Sequence, residues 1–158
     1  MPDKAIVFLT KTPVSGKVKT RLAKDIGKNN ATAIHEILVF HSLNIALSCQ
    51  VPVFVALKGD PDSVFAQKIR ALGVNVVPQI SGDLGQKMHA VFPIAQRVVI
   101  LGTDIPNIEK EELLEALNHS TITIGPAKDG GYWLLAGNKP PKALFENIPW
   151  STDKVLQK

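Results

Sequence analysis

Lys11, Lys17, Lys19, Arg21, Lys24 and Lys28 crowd into one short region of the chain. The stretch KTPVSGKVKTRL, Lys11–Leu22, also carries Gly16. Small residues let backbone N–H groups approach an anion, and Lys and Arg supply positive charge. Together they offer the chemistry for holding phosphate, with Lys11, Gly16, Lys19 and Arg21 as candidate contacts. A solvated lysine-rich face would have the same composition. Placement favours the ligand: the stretch directly follows the apolar run Ala5–Leu9, which reads as a buried strand. In open α/β sheets, ligands bind at the carboxyl ends of strands.

Asp104 stands in the same kind of place, just past the apolar run Val98–Leu101 in GTDIP. Phosphate chemistry commonly uses Mg2+ or Mn2+, hard cations that take carboxylate oxygens. A turn or helix cap would explain Asp104 as well. Asp129 lies in KDGGYW, where Asp-Gly alone reads as a turn. If its loop shares an edge with Asp104, both carboxylates face one ligand. Gly130 and Gly131 would then let backbone lie close to a sugar or phosphate. Tyr132 and Trp133 could line an acceptor pocket or belong to a strand core. Asp83 in SGDLGQKM fits a substrate contact or, with more precedent, the N-cap of the helix after it. The histidines make no HExxH pattern, and neither GxxxxGK[ST] nor GxGxxG follows the first strand.

The elements that must position these residues alternate. Strands are expected at Ala5–Leu9, Pro52–Leu57, Val74–Val77, Val98–Leu101, Thr121–Ile124 and Tyr132–Ala136. Helices are expected at Lys19–Ile26, Asn30–Ser48, Ser63–Leu72 and Glu109–Leu117, with another entered from Ser81–Met88 and limited by Pro93. In the long helix, Ile34, Leu38, His41 and Ile45 fall on one stripe at helical spacing, which supports the helix, and His41 reads as an ordinary helix residue. This alternation argues for an α/β sandwich with a mainly parallel sheet. All the strands' carboxyl ends, and the loops Lys11–Arg21, Gly102–Asp104 and Gly125–Gly131, should then share one edge.

The chain has 158 residues, 45% hydrophobic and 20% charged, which fits one domain over residues 1–158 with one core. No apolar run approaches the roughly 20 residues that span a bilayer, and the N-terminus lacks a secretory pattern. The single cysteine, Cys49, forbids an internal disulfide. A cytoplasmic location without membrane attachment is the default expectation. The net charge of +4 is modest, and aromatics, at 6%, are not interleaved with the cations. That argues against a nucleic-acid platform and for a small phosphorylated ligand.

FLTKTPVSGKVKTRL, SGDLGQKM, LGTDIP, GPAKDGGYWLLAG and IPWST occur in an order that resembles a bacterial family of small glycosyltransferase-A-type proteins. That family is similar to 2-phospho-lactate guanylyltransferase. The resemblance runs from the first strand to about Thr152. It implies the nucleotide-diphospho-sugar transferase fold, a Rossmann-like three-layer sandwich with a mixed, mainly parallel sheet. It implies that Lys11, Lys19 and Arg21 face nucleotide phosphates, with Asp83 near the nucleotide. Asp104 matches a metal-binding carboxylate and Asp129 an active-site carboxylate near the sugar or acceptor. Relatives continue past the Pro-Trp-Ser-Thr segment, so the chain reads as short at its carboxyl end. A missing edge element would favour self-association into a homo-oligomer. The expected function is a Mg2+- or Mn2+-dependent transferase that uses a nucleotide-sugar, moving the sugar to a small acceptor and releasing a nucleoside diphosphate. The alternatives are a nucleotidyltransferase that releases pyrophosphate and a non-catalytic nucleotide-binding module.

Overall fold

A computed structural model describes residues 1–13, 20–103, 105, 107–126 and 132–146, with backbone alone at 20–22 and 132. The elements alternate as expected: β1 (Lys4–Lys11), α1 (Thr20–Ile26), α2 (Lys28–Leu47), β2 (Val53–Lys58), α3 (Val64–Ala71), β3 (Asn75–Pro78), α4 (Leu84–Val91), β4 (Arg97–Leu101), α5 (Lys110–Asn118), β5 (Thr123–Pro126) and β6 (Tyr132–Gly137). Gly27, at φ +90°, separates α1 from α2, a left-handed turn that glycine makes without steric cost. Pro93 lies in a 3-10 turn, Phe92–Ile94, that follows α4.

The six strands form one mixed sheet in the order β3-β2-β1-β4-β6-β5. β1 runs parallel to β2 and β4, and β2 parallel to β3, while β6 is antiparallel to both β4 and β5. This is the Rossmann-like α/β arrangement. β1 lies between β2 and β4 and is apolar on both faces. Ile6 and Phe8 pack with Val39 and Leu43 of α2, Ile69 of α3 and Leu113 of α5. Ala5 and Val7 face the other way, toward Met88 and Val91 of α4, Phe92 and Phe145. Helices thus cover both faces of the sheet. Burying one such Val, Leu, Ile or Phe is worth about 1.5–3 kcal/mol, so β1 anchors both layers.

The stripe visible in the sequence of α2 is not the face that packs on the sheet. The buried residues of α2 are Ala31, His35, Val39, Ser42, Leu43 and Ala46. His41 is exposed, and Ile34, Leu38 and Ile45 are only half-buried. The helix carries apolar residues around its whole circumference, so periodicity alone does not select a face. Small residues, Ala31, Ser42 and Ala46, decide it by letting the helix approach the sheet.

Candidate functional site

The strand order creates a branch point. The sheet continues through β2 on one side of β1 and β4 on the other, and the crevice beyond such a branch is where α/β sheets take ligands. Two buried hydroxyls hold it together: Thr10 Oγ1 and Thr103 Oγ1 are 3.2 Å apart across strands separated by 93 residues. Asp104 follows Thr103 in the chain. On the same edge β5 ends at Pro126 opposite Tyr132, the first residue of β6. The elements that flank the cationic stretch, the GTDIP segment and the KDGG segment therefore converge as expected.

The tip of β1 is held from several directions. Thr12 N–H donates to Lys58 O at 3.0 Å. Gln79, just past β3, donates its side-chain N–H to Ala56 O at 3.0 Å and to Thr10 O at 3.4 Å. His35 Nε2 of α2 lies 3.1 Å from Lys11 O. Gly59, at φ +133°, lies against Thr12: a Cβ there would stand 2.9 Å from Thr12 Cβ and closer still to its hydroxyl. Lys11 and Lys58 end neighbouring strands in register. Both side chains are exposed, and in a parallel pair they leave the same face of the sheet. Among the described residues no carboxylate pairs with either one. They form a small cationic ledge beside the branch point.

Of the residues read from sequence, Lys11 is on this rim. Asp83 caps α4: its side chain accepts from Gln86 N–H at 2.8 Å, and the Gln86 side chain accepts from Asp83 N–H at 2.8 Å. The cap reading therefore holds, and the cap uses one carboxylate oxygen. Arg21 lies in α1 and Tyr132 in β6, both described in backbone only. Gly16, Lys19, Asp104, Asp129, Gly130 and Gly131 lie outside the described residues. Sequence reasoning missed Lys58, His35, Gln79 and the Thr10–Thr103 pair. Lys58 carried a readable signal, since VFVALK repeats the apolar-run-then-lysine pattern of IVFLTK. The others are visible only once distant elements meet.

The described residues contain no group of three or more His, Cys, Asp or Glu side chains able to hold a metal ion. The donors available beside the rim are oxygens, the hydroxyls of Thr10 and Thr103, and the residue following Thr103 is an aspartate. Arg97 sits at the opposite end of β4, buried and, among the described residues, without a carboxylate partner. It donates to Ala116 O, Thr121 O, Asn138 Oδ1 and Thr123 Oγ1 at 2.7–3.1 Å. Burial lowers its pKa from the ordinary value. It is a structural clamp remote from the branch point. No helix among the described residues is long and apolar enough to cross a membrane.

A six-stranded sheet in this order, with its open edge at a β1–β4 branch point, defines a protein of the nucleotide-diphospho-sugar transferase fold. More particularly, the chain belongs to the family described as "Uncharacterized protein conserved in bacteria (DUF2064)", which matches residues 42–152. It is similar to a protein from Desulfovibrio desulfuricans G20 provisionally named a nucleotide-diphospho-sugar transferase, with 30% identity and a TM-score of 0.85. The match covers 96% of this chain and 71% of that one. At fold level it is similar to a CMP:2-keto-3-deoxy-manno-octonic acid synthetase complexed with CTP (15% identity, TM-score 0.53, 96% and 80% covered). The same holds for a 4-diphosphocytidyl-2C-methyl-D-erythritol synthase from Anaerococcus prevotii DSM 20548 (12% identity, TM-score 0.59, 96% and 81% covered). No curated protein matches the chain.

Proposed function

We propose that this protein is a metal-dependent transferase that uses a nucleotide-sugar and a small acceptor. The Thr10–Thr103 contact carries this reading. It joins the strand that leads into the cationic stretch to the strand that leads into Asp104. A diphosphate needs positive charge and a carboxylate-held cation on one rim. Lys11 and Lys58, joined by Lys19 and Arg21 from the segment after β1, would neutralise phosphate. Asp104 would hold Mg2+ or Mn2+, with Asp129 orienting the acceptor or taking its proton. Gly130, Gly131 and Tyr132 would line the acceptor side, and Asp83 would border the nucleotide. When bound, the cation would stabilise charge on the departing diphosphate. The 30%-identical relative's name favours sugar transfer over nucleotidyl transfer.

The test is a screen of nucleotide-sugars and nucleoside triphosphates with Mg2+ or Mn2+, scoring nucleoside diphosphate and pyrophosphate release separately. Nucleoside diphosphate release that falls at least about a hundredfold in Asp104→Ala supports the proposal. Pyrophosphate release would move the assignment to nucleotidyl transfer. Binding without turnover would make the protein a nucleotide-binding module. Full activity in Asp104→Ala would remove that residue from the metal role.

A further inference from the structure

We propose that His35 is a positioning residue that fixes the root of the cationic segment. The inference deepens the nucleotide-site reading and rests on it for its link to ligand. It begins with one peptide plane. A trans peptide points its C=O and N–H in opposite directions. In the plane between Lys11 and Thr12, the N–H points to β2 and donates to Lys58 O at 3.0 Å. The C=O of Lys11 therefore points away from β2, toward the β4 side. The register with β4 ends at Phe8 opposite Leu101, three residues before Lys11, so the ladder does not reach this carbonyl. His35 reaches it instead, with Nε2 at 3.1 Å. A carbonyl only accepts, so Nε2 carries the proton.

The histidine is itself held. It is 5% exposed, and its ring lies 6.5 Å from that of Phe65, which meets Phe40 edge-on at 5.9 Å. The peptide plane is thus gripped at both ends, by β2 through its N–H and by α2 through its oxygen. Lys11 and His35 also bracket the segment from Thr12 to Ile34, which contains Lys19 and Arg21. The contact ties the two ends of that stretch of sequence to each other. Removing it frees the root of the segment while leaving the β1–β2 ladder below it intact.

Three variants test this. His35→Leu keeps volume and loses the donor. His35→Gln places an amide N–H where Nε2 stood, and His35→Asn places one a methylene too short. The first readout is hydrogen exchange of the Thr12 amide relative to core amides such as Val99. The second is calorimetric titration with UDP and GDP in the presence of Mn2+. In His35→Leu and His35→Asn, Thr12 exchange should rise and nucleotide affinity should fall, each by about tenfold. His35→Gln should stay within about threefold of the parent. Unchanged relative exchange at Thr12 in His35→Leu, or a His35→Gln variant as defective as His35→Leu, overturns the proposal. If His35→Leu does not fold, the Gln–Asn comparison decides in its place. If the parent binds neither nucleotide, the exchange readout still decides the role of His35, and the failure belongs to the nucleotide reading.

Discussion

Replacing Gly59 by alanine should loosen the two strand tips that carry Lys11 and Lys58. Two costs add. At φ +133° an L side chain is strained, at about 1–3 kcal/mol. The new methyl would also stand 2.9 Å from Thr12 Cβ, and relieving such overlap costs about 1–3 kcal/mol more. The sum, roughly 2–6 kcal/mol, is a large share of the 5–15 kcal/mol that typically holds a domain together. The two costs separate in a double-mutant cycle. Thr12→Gly removes both the Cβ and the hydroxyl that the methyl meets, so Gly59→Ala should cost only the backbone strain in that background. Urea unfolding measures each variant, with shifts in midpoint at constant slope read as stability. A coupling of at least about 1 kcal/mol between the two sites is expected. A Gly59→Ala loss below about 0.5 kcal/mol, or an identical loss with and without Thr12→Gly, would refute the packing argument.

Other substitutions probe separate parts of the molecule. Lys58→Ala should weaken nucleotide binding about three- to tenfold at low salt, with the difference shrinking as salt rises. Equal affinity at low ionic strength would remove Lys58 from the phosphate ledge. Arg97→Met removes the donor to Ala116 O and the clamp on Thr121 O and Asn138 Oδ1 and should destabilise by about 1–3 kcal/mol, read by urea unfolding. Burial pushes the Cys49 thiol above its ordinary range, outweighing the nearby Lys110 cation that lowers it. The folded chain therefore holds that proton more tightly than the unfolded one. Stability should be intact below the ordinary thiol range and decline as pH rises through it toward the native value. Cys49→Ala should flatten that decline, and alkylation of native Cys49 at neutral pH should be slow until urea is added.

Much of this was legible in the chain because strand signals here are strong. Continuous apolar runs such as AIVFL and VVIL leave little choice of element, and Gly27 and Gly73 mark helix ends by chemistry that glycine alone supplies cheaply. Asp83 was readable as a cap because a cap is local, made with Gln86 three residues on. The face of α2 was not readable. It depended on which residues were small enough to meet the sheet, a property of packing and not of period. The contacts of His35, Gln79 and Thr103 were invisible for a related reason. Each joins residues brought together only by topology, and nothing in the local sequence marks a histidine whose partner is a carbonyl 24 positions away.

Among the six strands β1 leaves the ribosome before the other five, and it lies in the middle of the finished sheet. Its partner β2 begins at Val53 and its partner β4 at Arg97. During synthesis the run AIVFL can therefore pair with β2 first, and it lacks its β4 neighbour until some hundred residues have emerged. Such late, non-local pairing slows folding and exposes sticky surface in the meantime. The ligand rim inherits the delay, because Thr10 cannot meet Thr103 any earlier. A nascent fragment that stops before β4 would own every cation of the Lys11–Lys28 stretch and still lack the Thr10–Thr103 junction beside it.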